Sequence, residues 1–304
     1  MRNLAVELRR LLSRRLVRVL ALVVLVSILF GGVMAAIQAR KNEDSGPSSQ
    51  QVQQAERFRE REVERCLSGR YGPLPDDPQE ARDFCESQTF IEAEDLRWHL
   101  TDITDVLLGI SVIIMILLWL VGASFIGAEW RHDTITTLLT WEPRRIRLML
   151  AKVAAVTLFF GIAAVLIQAL VAGVLAPSAF AFGITAGAGG EWLQELIEQT
   201  LRIAGVGALV GAVGFALASL GRNTAAALGV GFAYVVVVEN LLRALKPGWQ
   251  PWFFSDNAAL AITADSAAFT QVGHTVVQAA LVIAGYMLVL VLAALAVFRT
   301  RDVT

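Results

Sequence analysis

Charge is scarce in this 304-residue chain: Asp, Glu, Lys and Arg make up only 17% of it, hydrophobic residues make up 56%, and mean hydropathy is +0.59. A soluble domain wets its surface with roughly a quarter charged residues, so a chain this poor in charge is excluded from the ordinary soluble globular class. Histidine is rarer still, with only His99, His132 and His274, no two of which share a helix face, and there are just two cysteines. No Cys/His metal site can be assembled from that set. The sequence also lacks a G-x-S-x-G elbow, an H-E-x-x-H pair and a G-x-x-x-x-G-K-[ST] phosphate loop. It therefore carries no recognisable hydrolase constellation and no ATP site of its own.

What is present is organised by the gaps between charges. Uncharged runs of 21, 23 and 38 residues lie between Arg18 and Arg40, Asp105 and Glu129, and Lys152 and Glu191. Runs of 19, 16 and 33 follow between Arg202 and Arg222, Arg222 and Glu239, and Asp265 and Arg299. About 20 apolar residues cross a bilayer as a helix, so these runs predict six spans, the short fifth being extended by Leu241 and Leu242. The expected fold class is an all-α membrane protein with spans at 16–38, 104–127, 151–176, 200–220, 224–243 and 274–298.

Basic residues resist translocation, which fixes the expected orientation. Fourteen Lys and Arg fall at the N-terminus, between Arg131 and Lys152, at Arg222 and at Arg299 and Arg301, whereas the opposite short loops hold only Arg202, Arg243 and Lys246. Both termini are thus expected in the cytoplasm. Arg outnumbers Lys 23 to 3 and Ala is abundant, a bias that fits a high-GC bacterial genome and hence a bacterial cytoplasmic membrane. Residues 1–15 place Leu4, Leu8, Leu11 and Leu12 on one face and arginines on the others, the pattern of a helix lying in the lipid interface. No small-x-small cleavage site ends the first apolar run cleanly, so this segment reads as retained.

Outside the membrane, residues 39–103 turn polar and acidic, with sixteen carboxylates between Glu43 and Asp105. Neither this segment nor the basic N-terminus suggests nucleic-acid binding. Both cysteines, Cys66 and Cys85, lie in it, and an oxidising exterior favours a disulfide between them, two buried thiols being the alternative. Loops at 177–199 and 244–273 carry WLQELIEQT, read as an interfacial helix, and a Trp- and Pro-containing hairpin. In the fourth span Gly207-x-x-x-Gly211 is spaced for close helix approach.

Few polar side chains enter the spans. Gln168, Glu239, Arg243 and Gln278 are the pathway or gating candidates, because intramembrane polar groups are costly and tend to be functional. Glu239 and Arg243, four residues apart, can also pair with one another on one helix face.

The loop at 128–150 is the most informative stretch. Gly127-Ala-Glu129 leaves span two, Asp133 and Thr134 follow in a turn, then come Leu138-Leu139, Pro143 with Arg144 and Arg145, and Lys152 opening span three. This arrangement resembles the ABC-2 family of ABC transporter permeases, with Asp133 or Thr134 where that family usually has a turn glycine. The basic N-terminal helix, the six spans, ENLLRAL closing span five, the outer hairpin and the C-terminal FRTRDV at 298–303, leading into a cytoplasmic tail at 299–304, also resemble its layout. Residues Thr134 to Thr140 would form a short amphipathic helix able to dock in a partner's groove.

The resemblance implies a permease subunit of an ATP-driven exporter, itself not an enzyme, in which Glu129, Arg131, Asp133, Thr134, Leu138, Leu139, Pro143, Arg144 and Arg145 couple to a separate ABC ATPase subunit. It implies a second permease copy as partner, a homodimer being simplest, membrane lipids around both, and ATP and Mg held by the ATPase rather than by this chain. Two readings of other classes compete. One is a non-transporting scaffold or sensor using the outer segment; the other is an intramembrane lipid enzyme using Glu239, Asp256 and His274, whose spacing matches no named mechanism.

Overall fold

A computed structural model describes residues 2–68, 77–88, 95–132, 134–135, 144–265, 269 and 271–300. Among these residues there is no strand, only an isolated parallel bridge between His99 and Ile184, and the architecture is all-helical. Six helical segments are long and apolar enough to cross a membrane: Arg15–Lys41, Asp102–Arg131, Arg145–Phe182, Gly190–Gly221, Thr224–Leu245 and Val276–Thr300. We number the helices α1 (Arg2–Ser13), α2 (Arg15–Lys41), α3 (Ser49–Leu67), α4 (Pro78–Gln88), α5 (Asp102–Arg131), α6 (Arg145–Phe182) and α7 (Gly190–Gly221). The fifth span comprises α8 (Thr224–Phe232), a π-helical stretch (Ala233–Val238) and α9 (Glu239–Leu245); α10 (Phe254–Thr263) and α11 (Val276–Thr300) complete the chain.

The chain forms two compact units. The first contains Met1–Gly31, Thr101–Val174 and Gly187–Thr304, and α7 is its central helix, with 72% of its most apolar window buried against 6% for α2. Small residues make that burial possible. Gly122 of α5 meets the carbonyl of Gly211 of α7, so that a side chain at either position would overlap its neighbours, and Gly207 of α7 abuts Leu118 of α5. The Gly207-x-x-x-Gly211 surface thus packs on span two, the close backbone approach that such spacing permits. Gly231 in α8 and Gly214 in α7 together form a slot that holds the Trp119 ring. The tight turn between spans four and five places Arg222 at φ +53° and caps α8 through Asn223, whose Oδ1 accepts from the Ala225 N–H at 2.8 Å.

The second unit contains Gly32–Leu100 and Leu175–Ala186. A capping box between Ser48 and Gln51 starts α3, and a Cys66–Cys85 disulfide fastens it to α4, with Val63 buried beside the bridge. The cysteines are therefore oxidised rather than two reduced thiols. Residues 69–76 of the loop they close lie outside the described residues.

Two stretches differ from the sequence reading. Helix α6 continues through Pro177 to Phe182, and WLQELIEQT belongs to the first turns of an unbroken α7 instead of a separate interfacial helix. Trp192 to Thr200 has helical spacing and no breaker between it and the apolar run, so nothing ends the helix there. The hairpin after span five holds α10, whose Leu260 and Ile262 pack with Ile203 and Val210 of α7 and Ile283 of α11.

Candidate functional site

The densest group of buried charges lies where α1, the end of α5 and the start of α6 meet. Lys152 is 1% exposed, and its Nζ donates to Glu7 Oε2 at 2.8 Å and to Glu129 Oε1 at 2.9 Å. Glu7 and Glu129 are 3% and 6% exposed. Arg14, between α1 and α2, lies 3.5 Å from Glu129 Oε1, donates to the Ser124 carbonyl at 3.0 Å and stacks over the Phe125 ring, its guanidinium carbon 4.5 Å from the centroid. Lys152 shares the same ring at 5.1 Å. Arg10 pairs with Glu7 at 3.0 Å from the solvent side. Burial pulls Arg14 below its ordinary pKa, and the neighbouring Glu129 and Glu7 act in the opposite sense.

Two carboxylate side chains, Glu7 and Glu129, thus face two basic ones, Lys152 and Arg14, largely away from solvent. Ions removed from water hold together only when each has a partner with good geometry, so every member of this group depends on the others. One acceptor, Glu129 Oε2, is buried without a hydrogen-bond partner among the described residues.

Helix α1 supplies Glu7 and Leu11 one turn apart on one face, both buried, with Leu11 at 0% in the core beside Phe125. The inward face thus shares Leu11 with the leucine stripe read in the sequence and adds Glu7, whereas Leu12 is 57% exposed.

The loop between α5 and α6 adjoins this group. Thr134 Oγ1 donates to the Glu129 carbonyl at 3.2 Å, Ile135 is buried, and Arg131 and Arg144 are exposed. Arg145 donates to the Phe298 carbonyl of α11 at 3.5 Å. Asp133, Leu138, Leu139 and Pro143 lie outside the described residues, as do residues 136–140 of the short helix expected from Thr134 to Thr140. Span five reaches the same place, since Gly127 meets the backbone and side chain of Thr224 at the start of α8. Arg222 stacks 4.6 Å over Trp130, which packs edge-on against Phe298.

The remaining candidates are dispersed. Gln168 is fully buried and donates to the Ala164 and Thr200 carbonyls, bridging α6 to α7. Gln278 caps the start of α11 with Thr275. Glu239 and Arg243 do not pair with each other, contrary to the i,i+4 expectation. Fully buried Glu239 accepts from the Phe254 N–H at 2.7 Å, the Ser255 N–H at 3.3 Å and the Ser255 hydroxyl, whereas Arg243 pairs with Asp256 at 2.7 Å. The positive end of α10 offers the Glu239 carboxylate unpaired N–H groups, which suit a buried anion better than a half-exposed arginine does. Asp256 is thereby taken up by Arg243, and His274 lies 3.1 Å from the Asn257 side chain. Arg243 also donates to the Ser255 hydroxyl at 3.4 Å, so Glu239 and Asp256 are linked through Ser255 and Arg243. No group of three potential metal ligands occurs among the described residues.

Glu7, Arg14 and Lys152 are members that the sequence reading did not single out as site residues. Glu7 is the only acidic residue before Glu43, standing alone in a helix of arginines, and that isolation is the one signal that could have marked it.

Fold and site together define a multi-pass helical membrane protein whose first three spans converge on a buried ion cluster beside a basic loop. Residues 84–304, well over half the chain, match a family described as "Protein of unknown function (DUF2705)", and the chain belongs to that family. No curated protein matches it significantly.

Proposed function

We propose that the chain is the membrane-spanning subunit of an ATP-driven ABC exporter, paired with a second copy and powered by a separate ATPase subunit bound at the loop between spans two and three. The observation that carries this reading is the Glu7–Lys152–Glu129–Arg14 cluster. It joins both ends of that loop to the amphipathic helix and to the entry of the first span. A docking ATPase that pushed on the loop would move α1, α5 and α6 as one body, because displacing any one alone would strand a buried charge.

Contact between Gly127 and Thr224 extends this body to span five. ATP-driven closure of the partner would thereby rock spans one, two and five between inward- and outward-open arrangements. The fourteen basic residues on one side support cytoplasmic termini, and the Arg and Ala bias supports a bacterial inner membrane. The exposed Arg131 and Arg144 supply donors at the proposed docking face. The few charges within the spans favour a hydrophobic or amphipathic substrate.

Scrambling residues 134–140 at constant composition tests this. Coupled ATP hydrolysis in the purified complex should be lost while membrane insertion is retained. Tolerance of the scramble would instead favour the scaffold or sensor reading, in which the disulfide-fastened outer segment does the work.

A further inference from the structure

A cavity of about 260 Å³ opens in the first unit between spans two, four, five and six, bounded by Trp119, Val213, Leu217, Tyr234, Phe254 and Tyr286 among others. Its accessible wall is wholly apolar. The two tyrosine hydroxyls are used elsewhere: they lie 3.1 Å apart, and Tyr286 also donates to the Trp252 carbonyl at 2.8 Å. A resident water needs two to four polar partners, and this wall offers none. Leaving such a volume empty forfeits dispersion contacts along its whole lining. An apolar cavity of about 150 Å³ suffices for a benzene-sized ring, so this one admits a ring or a folded length of alkyl chain.

The rim and the backbone indicate where the occupant comes from. Val230, on the rim, is 58% exposed on a helix apolar enough to span a membrane, so the cavity adjoins a surface that a bilayer bathes in hydrocarbon. Tyr234 and Val235 reach the cavity from the π-helical stretch Ala233–Val238. Such stretches are rare, occur mostly as single widened turns, and are frequent at functional sites. The aromatic walls are themselves fixed: Trp119 sits in its two-glycine slot, and Phe254 stands edge-on to Tyr286 with ring centroids 5.8 Å apart.

We infer that this cavity is a binding site for one acyl chain of a bilayer phospholipid, inserted from the membrane between spans four, five and six. The site does not depend on the exporter reading, since any spanning role leaves the same wall facing the same hydrocarbon.

Photolabelling of the full chain tests it. The chain is reconstituted in phosphatidylcholine vesicles doped with a phosphatidylcholine carrying a mid-chain diazirine, irradiated, digested and mapped by mass spectrometry. Val213 and Leu217 sit on the mostly buried α7, are themselves partly buried, and line the cavity. The expected result is label on both, lost in Leu217→Trp and in Val213→Phe, with label on exposed Phe30 of α2 unchanged in the same molecules. Absence of label at Val213 and Leu217 in the unaltered chain, alongside labelled Phe30, would overturn the inference, and that arm requires no variant to fold. Equal label at these positions with and without the filling substitutions would overturn it as well.

Discussion

Replacing Lys152 with Met keeps its length and apolar stem but removes the one charge that lies between Glu7 and Glu129. Two charge-assisted hydrogen bonds, at 2.8 and 2.9 Å, disappear, and two buried carboxylates are left facing each other with only Arg14 and Arg10 nearby. Breaking a buried ion pair from one side costs about 3–5 kcal/mol. At about 2–4 °C per kcal/mol for a unit of this size, the thermal midpoint should fall by on the order of 10 °C. Because Glu7 is the only described acidic contact from α1 to Lys152, proteolysis near Ser13 should accelerate in the variant. Glu7→Gln alone should cost less than Lys152→Met, since Lys152 then keeps Glu129. The double variant should cost much less than the sum of the singles. Detergent-solubilised protein followed by dye-free thermal unfolding provides the measurement. A Lys152→Met midpoint within a degree of the parent, or strictly additive singles, would refute the claim that the three residues act as a unit.

Other outcomes follow from the packing and the outer unit. Gly231→Ala places a methyl group inside the Trp119 ring, and overpacking of this kind should destabilise by about 1–3 kcal/mol, with Trp119→Phe restoring part of the loss in a thermal-melt cycle. Replacing Cys66 and Cys85 together with Ser should lower the stability of the second unit by about 3 kcal/mol on the chain-entropy estimate for their 19-residue separation, measured as faster cleavage between α3 and α4. Arg97 donates side-chain hydrogen bonds to Asp95 at 2.8 and 3.0 Å and holds its carboxyl well below the usual carboxylate range. A depressed folded-state pKa stabilises above the unfolded value, about 3.9, and that contribution declines as pH falls from there and is gone once pH has passed through the folded value. An isotope-labelled Asp95 carboxyl should therefore remain ionised at pH 4, and Arg97→Ala should return it to the ordinary range.

The six spans were legible because charge is excluded from the bilayer core: each lies in a gap between named ionisable residues, from Arg18–Arg40 to Asp265–Arg299. Cys66 and Cys85 were legible for a comparable reason, being the only two cysteines and lying in one polar segment. Partners across long separations were not. Glu7 and Lys152 lie 145 residues apart, and neither periodicity nor spacing links them. The Glu239–Arg243 expectation failed because a local i,i+4 rule cannot anticipate α10 bringing its unpaired N–H groups to Glu239 and Asp256 to Arg243. Pro177 misled in the opposite sense, since a proline inside an apolar helix can be tolerated where neighbouring groups satisfy the freed carbonyl. The π-helical stretch has no composition of its own: AYVVVV reads as ordinary apolar span.

The exporter proposal stands or falls on a partner. Affinity-tagged chain, solubilised in mild detergent from the organism that encodes it, should bring down a stoichiometric subunit containing a G-x-x-x-x-G-K-[ST] phosphate loop, identified by mass spectrometry, and scrambling residues 134–140 should release it. Intact, folded protein that reproducibly purifies without any such subunit would contradict the proposal.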